Sequence, residues 1–181
     1  MNGKGNIALI FHDADFFVTK QRFEGFKETL SQYPDIEVVE EKGIGGPDFA
    51  GDAQAAATAL LTKYPDLNGI WGVWDVPAEG IMAAAREAGR NDLKIATQDL
   101  GTNVAIQLAK NELIVGLGAQ RPYDQGVAEA RLGGLAKIGK TGLPIFVALG
   151  ALPVSHDNVL DAWKTVYSVD APASVSGAFK K

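Results

Sequence analysis

Apolar runs that read as strands recur along the chain about every 25–30 residues, the spacing of repeated strand–helix–strand units. IALIF (7–11) runs into His12 and Asp13, and GIWGV (69–73) runs into Trp74 and Asp75. LKIAT (93–97) runs into Gln98 and Asp99, and LIVGLGA (113–119) into Gln120 and Arg121. Between them lie helical patterns. Phe23, Phe26 and Leu30 share one face of a helix over 15–33, which Asp15 opens and Tyr33-Pro34 stops. IEVVE (36–40) is a second strand, and KGIGGPDFAGD a glycine-rich loop before an Ala/Leu helix over 52–63. Helices are expected over 77–88, ended by Gly89, over 102–110 and over 123–138. IFVALG (145–150) reads as a sixth strand and DNVLDAWKTVY (157–167) as a helix, with Val159, Ala162, Trp163 and Val166 on one face. After Asp170 small residues and proline predict a frayed, disordered tail over 171–181.

Strands alternating with helices predict an α/β domain, a doubly wound, mostly parallel sheet with helices on both faces. In such a sheet ligands bind at the carboxyl ends of the strands. The polar and aromatic residues that close each strand should therefore line one edge, which points to small-molecule binding. The expectation is one lobe over 1–170, with no linker or internal repeat dividing it.

Composition narrows the chemistry. The 181 residues suffice for one domain, and the net charge of −5 disfavours a nucleic-acid partner. The absence of cysteine excludes thiol catalysis and disulfides. The two histidines, His12 and His156, lie far apart, so no metal or other cofactor is expected. No apolar run reaches the length of a membrane span, and MNGKGNIALIF has neither the basic region nor the cleavage site of a signal peptide. GIGGP (43–47) is neither GxGxxG nor a phosphate loop, and no Ser-His-Asp set or glycosidase carboxylate pair is visible.

Several segments, taken in order, carry a family likeness. They are RFEGF (22–26), of the form RxxGF, TALLTKYPDLNGIWGVWD, WDVPAEGIMAAAREAG, KIATQDLG and ELIVGLGAQRPYDQG. The set resembles the second half of ribose-type periplasmic sugar-binding proteins of ABC importers, over about residues 4–160. The effector domains of LacI-type repressors share that fold. The resemblance implies that Arg22 makes a bidentate contact to sugar hydroxyls and that Asp99 accepts hydrogen bonds from them. It implies that Gln120 touches the ligand and that an aromatic after the second strand stacks on it, with Phe49 the nearest match. Trp74 and Asp75 stand where the family has Asn-Asp. An indole stacks and donates one N–H but does not replace an amide, which leaves open another pentose, a deoxysugar, a polyol or a hydroxylated signal molecule.

His12 and Phe17 are further candidate contacts, Phe17 with Phe16 as a wall of the cleft. Each residue also has a plainer reading: Arg22 as a solvated helix arginine, Asp99 as a helix cap, Trp74 as core, Phe16 and Phe17 as a staple at the helix start. The function implied is sugar or polyol binding without catalysis, with an importer permease as partner and a periplasmic location in the full-length relative. The rival readings are a LacI-type effector domain and an enzyme on a Rossmann-like sheet. By the resemblance this is one lobe of two, from which weak, millimolar binding is expected. The apolar face of helix 123–138 would cover the other lobe or, without it, a second copy in a homodimer or swapped dimer.

Overall fold

In the computed structural model, which describes residues 1–180, the alternating pattern resolves into β1 (Gly5–His12), α1 (Phe17–Leu30), β2 (Ile36–Ile44), α2 (Phe49–Lys63) and β3 (Gly69–Gly72). There follow α3 (Asp75–Glu87), β4 (Lys94–Gln98), α4 (Thr102–Ala109), β5 (Ile114–Ala119) and α5 (Pro122–Lys137). The chain closes with β6 (Leu152–Val154), a 3-10 turn, α6 (Val159–Tyr167) and α7 (Ala173–Ser176). The six strands run β2-β1-β3-β4-β5-β6, parallel except for β6. The fold is the expected α/β sheet with helices on both faces.

Strand order decides which face each helix takes. From β1 the chain steps outward to β2, then reverses through β3, β4 and β5. Right-handed crossovers therefore put α1 on one face and α2, α3 and α4 on the other. Under α1, Phe23 and Phe26 pack on Trp71, with centroids 6.2 and 4.9 Å apart, beside Ile7 and Leu9. The larger core, with Ala8, Ile10, Ile70 and Ile95 on the sheet, lies on the opposite face. There α2 and α3 touch through small residues: a Cβ added to Gly80 would stand 2.0 Å from the Ala50 carbonyl oxygen.

Several local expectations change. Phe16, not Asp15, occupies the N-cap of α1, and Asp15 instead pairs with Lys20 at 3.5 Å. The glycine-rich loop is shorter than the composition suggests. β2 continues to Ile44 beside β1, and α2 begins at Phe49 because the Asp48 side chain accepts from the Gly51 N–H at 3.0 Å. The sixth strand is not IFVALG. Ile145 and Phe146 are exposed and 145–149 lies along α5, while Leu152–Val154 takes the free edge of β5, antiparallel, as Leu117↔Val154 and Ala119↔Leu152. An apolar run is compatible with a strand, but pairing with a free edge makes one.

The expected disordered tail also fails as far as the structure describes it; Lys181 lies outside the described residues. Val175 on α7 is fully buried against α4, the Lys180 N–H donates to the Ala109 carbonyl at 2.9 Å, and Phe179 stacks on His156 at 4.6 Å. α5, in contrast, touches α6 and has no buried residue.

Candidate functional site

The carboxyl ends of the parallel strands form one edge, and each loop leaving it contributes a different side chain. His12 ends β1, Phe49 opens α2 after β2, Trp74 caps α3 after β3, Asp99 follows β4 and Gln120 follows β5. Arg22 comes from the second turn of α1 and reaches across β3. Its Nη1 donates to Asp99 Oδ2 at 2.9 Å and to the Val73 carbonyl at 3.3 Å, and its Nη2 donates to Asp99 Oδ1 at 3.0 Å. The solvated-arginine reading of Arg22 is thereby set aside: its side chain is 12% exposed and that of Asp99 27%.

Asp99 is not a helix cap either; Gly101 holds that position in α4. Asp99 sits at φ 64°, in the left-handed region that aspartate tolerates better than most residues. Its N–H donates to the Gly118 carbonyl at 3.0 Å, which ties the turn to the end of β5, two residues before half-buried Gln120. From below, Tyr167 Oη donates to the Leu100 carbonyl at 2.6 Å. Tyr167 was not a candidate from sequence. Its place four residues after Trp163, on the buried side of α6, was the available signal.

The aromatic residues form one cluster. His12 lies 5.3 Å from Phe49 and 5.6 Å from Trp74, and Phe49 lies 4.9 Å from Trp74, all edge to face. Phe16 joins at 6.3 Å from His12. Two small features hold them. His12 Nδ1 is 3.2 Å from the hydroxyl of buried Thr19, and the Phe49 ring lies against Gly46, where φ is 71° and any Cβ would stand 2.6 Å from the ring. Phe17 is not part of this cluster. It is 74% exposed and lines a groove of about 490 Å³ with Val18, Gln21, Arg22 and Gln98.

Asp75 sits behind the ion pair. It opens α3, accepts from the Val76 N–H at 2.9 Å and abuts Gly101, where an added Cβ would stand 2.2 Å from Oδ2. Burial, then the nearby charge of Asp99, pushes its carboxyl above the usual aspartate value. Burial and the same two carboxylates push the Tyr167 phenol up as well.

The Arg22–Asp99 pair is a preformed platform. The guanidinium keeps N–H groups not used by Asp99 or Val73, and each carboxylate oxygen keeps a second lone pair. A donor fork beside two acceptors suits adjacent hydroxyl groups, and the rings beside it suit a ring's apolar face. Among the described residues no three metal-ligating side chains gather.

Doubly wound sheets of this kind take their ligands at such an edge. The chain belongs to the periplasmic binding protein domain family, whose model matches residues 1–163. It is 31% identical over 119 residues to the ribose operon repressor of Halalkalibacterium halodurans, an alignment covering 62% of this chain and 33% of that protein. It is 25% identical over 111 residues to the D-apiose import binding protein of Paraburkholderia graminis, covering 61% and 35%. Among solved structures, an ABC transporter solute binding protein from Agrobacterium vitis with bound allitol superposes with a TM-score of 0.79 at 26% identity, over 90% of this chain and 58% of that one. The chain thus spans about a third of the length of these curated relatives.

Proposed function

We propose that this chain is the ligand-binding lobe of a solute-binding protein that delivers a small sugar or polyol to an ABC importer, without catalysing any reaction. The bidentate Arg22–Asp99 pair at the carboxyl edge of the sheet carries this reading, because it presents fixed donors and acceptors where ligands enter such sheets. Arg22, Asp99 and Gln120 hold hydroxyls, and Trp74, Phe49 and His12 cover the apolar side. Phe17 lies further out, at the mouth of the groove beside Arg22. Allitol in the Agrobacterium vitis relative and the apiose importer among the curated ones support a polyhydroxylated ligand.

In this reading a second lobe closes over the edge, as in hinged periplasmic binding proteins generally, and the closed form docks on the permease in the periplasm. The exposed α5 and the segment 145–149 cover that lobe, or a second copy in a dimer. The test is a titration of the chain with pentoses, hexoses and polyols, followed by amide and indole NMR signals, which report millimolar affinities. Saturable shifts at Arg22, Trp74 and Asp99, abolished in Arg22→Met, are expected. Shifts confined to residues away from this edge refute the reading.

The identity with the ribose operon repressor favours a second reading, the effector domain of a transcriptional regulator. Both readings use the same edge. They part on what adjoins the lobe in the gene product: a helix-turn-helix means regulation, an export signal means transport.

A further inference from the structure

The carboxyl edge is divided by chemistry. Aromatic rings gather over β1, β2 and β3, where His12, Phe49 and Trp74 touch one another and Phe16 leans on His12. Charged and amide groups gather over β4 and β5, where Arg22 meets Asp99 and Gln120 follows. The strand order β2-β1-β3-β4-β5 sets the two groups side by side, not interleaved.

The aromatic half offers few hydrogen bonds. Phe16 and Phe49 have none to give, and the indole of Trp74 has one N–H. One nitrogen of His12 already faces the Thr19 hydroxyl at 3.2 Å.

Resting on the sugar-binding reading, we infer that the ligand is divided in the same way: adjacent hydroxyls at one end, and at the other a carbon without a hydroxyl. The class is a deoxysugar or an alkyl-capped pentose. The diol lies on Arg22 and Asp99, and the bare carbon lies against the outer face of the Trp74, Phe49 and His12 cluster. A fully hydroxylated sugar drives a hydroxyl against these rings, where it loses water and meets only the second ring nitrogen of His12 and the single N–H of Trp74. Rejection of an added hydroxyl by an apolar pocket is worth about 10- to 100-fold.

Matched pairs test this on the full chain by NMR titration: 5-deoxy-D-ribose against D-ribose, and D-fucose against D-galactose. The deoxy member of at least one pair is expected to bind about tenfold tighter. Trp74→Ala, or Phe49→Ala should the first variant fold poorly, removes the preference, while Arg22→Met weakens both members alike. If the hydroxylated members bind as tightly, or the preference survives both aromatic variants, the inference falls and the sugar-binding reading stands. If no sugar perturbs the edge at all, that reading falls and takes the inference with it.

Discussion

Replacing Arg22 by Met and Asp99 by Asn, singly and together, measures how firmly the platform is held before any ligand arrives. Both substitutions keep most of the side-chain volume, and Asn, like Asp, accepts the left-handed backbone found at position 99. The wild-type pair has hydrogen bonds of 2.9 and 3.0 Å, with a weaker one of 3.3 Å to Val73. A hydrogen bond to a charged group nets about 1.5–3 kcal/mol, and the 12% and 27% exposure of these side chains calls for the lower end. Arg22→Met strands the Asp99 carboxylate near Asp75, and the expected loss is about 2–3 kcal/mol. Asp99→Asn keeps one acceptor and should lose about 1–2 kcal/mol. The coupling between the two should be about 1–2 kcal/mol. Urea unfolding followed by tryptophan fluorescence reads it, provided the slope with urea is unchanged across the four proteins. A coupling below about 0.3 kcal/mol would mean the pair is not preformed in solution, and the argument for a hydroxyl platform would fail.

Gly80→Ala should destabilise by about 3 kcal/mol in the same assay, because the new methyl meets the Ala50 carbonyl at 2.0 Å; a loss under about 0.5 kcal/mol contradicts the close α2–α3 contact. Asp75→Asn should raise Tm near neutral pH. The folded carboxyl is held above its ordinary 3.8, so its favourable contribution is complete below the unfolded value and lost as pH rises through the folded one. The gain should therefore fade toward acid, and an equal gain in acid refutes the assignment. Val175→Asp should cost about 3 kcal/mol by placing a carboxylate in a fully buried position. An unchanged Tm would show that α7 does not dock in solution.

Much of the fold was legible because parallel strands buried on both faces leave nearly continuous apolar runs, as in IALIF and LKIAT. Boundaries suffered where capping outweighed composition: Asp48 starts α2 amid glycines that read as loop. The 145–150 run and the tail were misread for one reason. Whether apolar residues are buried depends on what lies across from them, which for Val175 is α4 and for Ile145 is solvent. At the site, the resemblance pointed to Arg22 and Asp99, and strand-end position to Trp74 and His12. That Arg22 and Asp99 satisfy each other was not legible, since 77 residues separate them and the contact depends on an arginine crossing the top of β3. Nor does a sequence reveal the left-handed turn at Asp99 or the hydroxyl of Tyr167 beneath it.

Each side chain of the edge belongs to a different loop: Phe49, His12, Trp74, Asp99 and Gln120 come one apiece from the five parallel strand ends. Phe49 and Trp74 also lean on the core, one on each face of the sheet. If the sugar-binding reading holds, selectivity on this scaffold can drift one loop at a time, each change confined to one strand end. A library restricted to Phe49 and Trp74 explores new ligands while the anchoring ion pair stays in place.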